Sequence, residues 1–180
     1  MYACTLRRIC ISSIAFAVLA PLSVFAQAAS PECLTVANAT KKLLTTPNHQ
    51  YLTRTNSGKG QKTGNFESIT INDAMYIKAN SGWTRSPVAQ SERLKDLDES
   101  SLKNATCRKL RDESVSGVAA TVYHVHEKSE DLTSDGQYWV ARGTGLLLRS
   151  EVDMDVDGVN KSHAAMRAEF TGVKAPVVTR

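Results

Sequence analysis

The sequence predicts an α+β, mainly β domain in which an antiparallel meander packs on a leading helix and a short helical insertion. Three observations predict it. One stretch near the start carries helix start and stop signals, about nine later stretches are rich in β-branched and aromatic residues, and most of those stretches are separated by turns of hairpin length.

The helix is expected from Pro31 to about Thr45. Ser30 can cap it, Pro31 fits the first turn, Glu32 suits the positive end, and Lys41 and Lys42 suit the negative end. Leu34, Ala37 and Leu44 make a narrow apolar stripe suited to lying on a sheet. Strands are expected at His49–Thr55, Phe66–Asn72, Ala74–Ala79 and Trp83–Val88, with turns at Ser57–Gly64 and Asn80–Gly82. From Ala89 to Asn104 the chain lacks β-branched residues and carries Leu94, Leu97 and Leu102, as a short helix or structured loop would. Strand signals resume at Thr106–Glu113, Val118–Lys128, Gly136–Arg142, Gly145–Val156 and Lys161–Thr171. No internal repeat is visible.

The first residues read as an export signal. Arg7 and Arg8 precede the apolar run Ile9–Ala20, and small residues follow at Val24–Ala29. Cleavage after Ala28 uses Ala26 and Ala28; cleavage after Ala26 uses Val24 instead. The run is shorter than the roughly 20 residues of a spanning helix. Residues 1–28 are therefore expected to be removed, with residues 29–180 forming one domain and no membrane anchor remaining. Periplasm or the secreted space is the expected destination. There Cys33 and Cys107 are the two remaining thiols and are expected to pair, closing a loop of more than 70 residues. Loss of the two leader arginines lowers the net charge from +4 to +2, and the remaining basic residues alternate with acidic ones, which does not suit a nucleic-acid surface.

Glu151–Asn160 contains Asp153, Asp155, Asp157 and Gly158 at the spacing of a calcium loop. Counted from Asp153, however, the twelfth position is Ala164 where such a loop needs a bidentate Glu. Leu146, Leu148, Val152, Met154 and Val156 instead alternate as in a strand. A hairpin with loop residues Gly158, Val159 and Asn160 would oppose Asp157 to Lys161, Glu151 to Arg167 and Arg149 to Glu169, and would pair Val152 with Met166, Met154 with Ala164 and Leu148 with Phe170. A two-residue Asp-Gly turn would oppose Val152 to His163. The three-residue loop is expected, because each matched cross-strand pair contributes roughly 0.2–1 kcal/mol.

Other polar constellations are thin. His124 and His126 share a strand face about 7 Å apart, but a metal site needs three or four ligands, so no metal and no cofactor are expected. There is no Gly-x-Ser-x-Gly, and Gly143-Thr144-Gly145 lies between strands where it forms a turn. No catalytic residue and no enzymatic activity are read from the chain. Broad rings and flexible thioethers suit an apolar cavity, and the candidate lining is Tyr76, Trp83, Trp139, Leu148, Val152, Met154, Met166 and Phe170. Ordinary core packing is the competing explanation for each residue taken singly.

Together, "MYIKANSGWTRSP", "TVYHVHEK", "QYWVARGTGLLLRSEVDMD" and "EFTGVKAP" resemble the LolA/LppX-like periplasmic proteins, over roughly His49–Pro176. The resemblance implies a strongly curved antiparallel half-barrel whose apolar concave side is covered by helices. It also implies a cavity for lipid, an acyl chain or another hydrophobic small molecule. No motif here matches the lid of the lipoprotein carrier in that family, so no functional residues are carried over. The rival expectation is an interaction, scaffolding or sensor protein of the envelope, with an envelope protein as partner and a concave side filled by its own side chains.

Overall fold

A computed structural model describes residues 30–57, 63–79, 82–95, 97, 104–158 and 160–178. The expected leader, the middle of the turn after the first strand and most of the 96–103 stretch lie outside them.

The chain runs α1 (Pro31–Thr45), β1 (Asn48–Ser57), β2 (Thr63–Ile71), β3 (Ala74–Ala79), β4 (Gly82–Arg85), α2 (Gln90–Lys95), β5 (Ala105–Val115), β6 (Val118–Lys128), β7 (Leu132–Ala141), β8 (Leu147–Val156) and β9 (Asn160–Glu169). The nine strands form one antiparallel sheet in the order β4-β3-β2-β1-β9-β8-β7-β6-β5. Two meanders therefore meet at a β1–β9 seam, with α2 in the crossing between β4 and β5. The sheet does not close, and both helices pack on one of its faces. This is the mainly β half-barrel expected from the sequence.

Turn chemistry sets the hairpins. Asn72 and Asp73 (φ 50° and 61°) join β2 to β3, and Ser116 and Gly117 (φ 49° and 83°) join β5 to β6. Both are two-residue loops with positive φ at each position, the geometry that matches strand twist. The Asn72-Asp73 turn also docks α2: Asp73 accepts bonds from the Ser91 amide (2.7 Å) and hydroxyl (2.9 Å), and its carbonyl accepts from the Gln90 amide (3.1 Å).

Alternation along the strands gives two faces. The helix face holds Tyr138, Val140, Leu147 and Ala168, which pack with Ala39 and Leu43 of α1. The opposite face holds a second cluster of Ala120, Val122, Trp139, Ala141 and Leu148. A register shift after Trp139 pairs Val140 with Leu147 and Trp139 with Arg149, so Leu148 is the extra residue. That bulge is why adjacent Leu147 and Leu148 are both buried, at 2% and 8% exposure, on different faces.

The β8–β9 register corrects the expected one. Val156 pairs with Asn160, Val152 with Ala164, Glu151 with Ala165 and Arg149 with Arg167. The strands part at Val156 and Asn160, so Asp157 is not opposite Lys161, Glu151 is not opposite Arg167, Arg149 is not opposite Glu169, and Val152 is not opposite Met166. The cause is local: Asp157 and Gly158 take φ of 57° and 67°, so the turn begins at Asp157 and withdraws it from the strand. The slip is two residues, which leaves every side chain on its face, and a pattern of period two does not register such a slip. Asp153 bonds His163 (2.8 Å), and Asp155 lies 3.5 Å from Lys161. Asp153 and Asp155 thus serve as the charged side of a strand pair, and Asp157 belongs to the turn.

Candidate functional site

α1 is held at both ends. The Ser30 side chain accepts from the Cys33 amide at 3.2 Å, capping the first turn. A disulfide then joins Cys33 to Cys107 on β5, with Cα atoms 5.1 Å apart. At the other end, buried Asn48 donates to the Leu43 carbonyl (2.6 Å) and the Thr46 carbonyl (2.7 Å), while Lys42 Nζ reaches the Thr144 carbonyl (2.6 Å). Between these anchors Cys33, Val36, Ala39 and Leu43 are buried.

Because the disulfide ties α1 toward the β5 edge, a cleft of about 440 Å³ runs along the helix. Its apolar wall is Leu34, Val36 and Ala37 of α1, Leu97 beyond α2, and Ala105, Val125 and Tyr138 of the sheet. Asn38, Thr40, Lys41 and Glu127 supply a polar rim. Burial pushes the Tyr138 phenol above its ordinary pKa, with the Glu127 charge adding to the effect, so Tyr138 stays neutral at physiological pH. The Tyr138 ring lies across Gly136, where an added Cβ would come within 2.9 Å of the ring and 3.1 Å of Val152. Gly136 therefore sets how deeply the tyrosine sits. A cleft with this lining can sequester an apolar chain and meet a polar group at its rim.

The sequence candidates fall elsewhere. Val152, Met154 and Met166 are on the helix face, beyond the cleft. Tyr76 and Trp83 lie on the opposite face, where Trp83 meets His49 edge-on at 6.0 Å and Lys78 at 5.7 Å. Trp139 and Leu148 are in the opposite-face cluster, and Phe170 packs against both clusters. The lining from α1 was not among the candidates. Its signal was present in the apolar stripe, but a stripe does not distinguish residues that touch a sheet from residues that border a gap.

The four histidines all lie on the opposite face, each beside a carboxylate: His49 with Glu67 (2.8 Å), His124 and His126 with Asp135 (2.5 and 2.9 Å), and His163 with Asp153 (2.8 Å). Bonds from His126 and His124 hold Asp135 below the usual carboxylate range. Among the described residues no group of three or more His, Cys, Asp or Glu side chains is arranged to hold a metal ion. No described helix is long and apolar enough to cross a membrane.

No family model matches the chain, and no curated protein matches it. Solved structures do. The chain is similar to the Mycobacterium tuberculosis lipoprotein LppX, at 12% identity and TM-score 0.46, over 81% of this chain and 99% of that one. It is similar to LprF from Mycobacterium bovis, at 12% identity and TM-score 0.43, over 86% and 98%. A LolA superfamily protein from Nitrosomonas europaea is similar at 7% identity and TM-score 0.25, over 78% and 92%.

Proposed function

We propose that this is an exported, non-enzymatic binding protein that holds an acyl chain or comparably apolar ligand in the cleft beside α1. The observation that carries the reading is the cleft itself. Its 440 Å³ falls within the ~300–1,000 Å³ of small-molecule sites, and its lining combines an apolar wall with a few polar groups. The disulfide supports an oxidising compartment, periplasmic or secreted, as does the leader-like start of the sequence.

Native mass spectrometry of protein isolated from its host tests the proposal. The expected result is a co-purifying apolar molecule in one-to-one stoichiometry, displaced in an Ala37→Trp variant whose indole fills the cleft. Protein that is empty from its host and stays empty after incubation with fatty acids or phospholipids would favour the rival reading, an interaction protein that needs no ligand.

A further inference from the structure

The opposite face carries a second site that the apolar-ligand reading does not use. Four residues lie side by side across four strands: Tyr51 pairs with Arg167, Arg167 with Arg149, and Arg149 with Trp139. The guanidinium of Arg167 stacks on the Tyr51 ring at 4.6 Å, and that of Arg149 stacks on Trp139 at 4.5 Å. Two arginines directly opposite one another on adjacent strands repel, and a sheet ordinarily avoids that arrangement. Here each is flanked on its own strand by a glutamate, Arg149 by Glu151 and Arg167 by Glu169, with one guanidinium nitrogen bonded to each.

The arginines also line a cleft of about 440 Å³. Ser114 and Ser116 at the β5–β6 turn form its other side, and Tyr51 and Thr53 add hydroxyls. The arginine side chains are 44% and 49% exposed, so a solute can reach them. Stacking fixes the guanidinium planes, and each guanidinium has five donors, of which a single carboxylate uses few.

From this geometry we infer that the Arg149–Arg167 pair is a binding site for a phosphate group. A carboxylate offers one edge, which a single guanidinium fork fills. A phosphate offers oxygens on more than one side, so two forks on neighbouring strands can bind it at once, and its charge of about −1.5 to −2 offsets the repulsion between them. Ser116 can donate to a remaining oxygen. Glu151 competes for Arg149, so it sets the affinity. The phosphate can belong to a free solute or to a lipid headgroup.

Isothermal titration calorimetry at fixed ionic strength tests this with protein isolated from its host. One arm uses inorganic phosphate; the other uses phosphatidylcholine vesicles with and without phosphatidylglycerol. The expected result is saturable one-to-one binding in at least one arm, weakened about tenfold or more by Arg149→Gln or Arg167→Gln and tightened by Glu151→Gln. Binding to inorganic phosphate identifies a solute site, whereas binding to anionic vesicles alone identifies a headgroup site. No saturable binding in either arm, or binding that the two arginine variants leave unchanged, would overturn the inference. The Glu151→Gln arm decides the matter if an arginine variant does not fold, because a repulsive carboxylate is then removed and failure to tighten contradicts the site. The apolar cleft is on the other face, so acyl-chain binding should be the same in all three variants.

Discussion

The two faces of the sheet are built by different means. On the helix face, α1 is fixed covalently at Cys33 and by carbonyl bonds at its far end, and apolar Val140, Leu147 and Ala168 share that face with buried Asn48, Thr121 and Ser150. On the opposite face, a small apolar cluster around Trp139 is bordered by rows of ion pairs and stacked arginines, with no helix of the described residues above it. The first arrangement leaves a gap where a rigid helix meets a curved sheet. The second leaves side chains that are paired and can exchange partners. One sheet of period two thus borders a cleft with an apolar wall on one side and presents ion pairs and stacked arginines on the other.

Removing the Cys33–Cys107 bridge should have the largest effect. Its residues are 74 apart in sequence, so the chain-entropy model gives a loss of about 4 kcal/mol. Urea unfolding with and without reductant, or of a Cys33→Ser/Cys107→Ser variant, measures it, and acyl-chain binding should fall as α1 comes loose. Trp139→Ala should cost about 3 kcal/mol, since the residue is 3% exposed among small neighbours. The comparison breaks if acyl-chain binding falls with it in protein that is still folded.

Gly136→Ala sharpens the picture of the cleft. The added methyl meets the Tyr138 ring, Val152 and the Glu151 carbonyl, so a cost of about 2 kcal/mol is expected, together with a change in tyrosine near-ultraviolet dichroism. Ser30→Ala removes the α1 cap and should lower stability by about 1 kcal/mol in the same unfolding assay.

The smallest effect is a pH dependence on the opposite face. The hydrogen bond from Lys78 holds Glu67 below the usual carboxylate range against a desolvation that raises it, and the bond from His49 adds to the lowering. A depressed carboxylate stabilises the fold at pH values above that of a free glutamate, about 4.3. That stability is lost as pH falls through the lower folded value. The group is partly solvated, so the contribution is under about 1 kcal/mol. Glu67→Gln should flatten the stability profile in this acidic window, and an unchanged profile would show that the Lys78 pair contributes nothing.

Much of the fold was legible in the sequence because local chemistry and global pattern agree. Pro31–Thr45 carries its own cap and charged ends, and it forms the helix at those bounds. Ala74–Ala79 and Val118–Lys128 each follow a two-residue turn with positive φ at both positions, and both strands match their expected limits. Cys33 and Cys107 pair as the sequence reading expects. The β8–β9 register was less legible, since a two-residue slip leaves alternation intact and only the conformation of Asp157-Gly158 selects it. The cleft was least legible. Leu34, Ala37, Val125 and Tyr138 come from three elements whose distance apart depends on sheet curvature and on where the disulfide draws the helix. Trp83 and Trp139 attracted attention by size, yet they sit on the other face, where one contacts His49 and Lys78 and the other carries Arg149.

Photo-crosslinking with a fatty acid that bears a reactive group along its chain tests the central claim most directly, with peptide mapping of the labelled sites. Labels are predicted on Leu34, Val36 or Ala37 of α1 and on Val125 or Tyr138 of the sheet, and they should disappear in Ala37→Trp. Labels confined to the opposite face, or labelling that Ala37→Trp leaves intact, would contradict it.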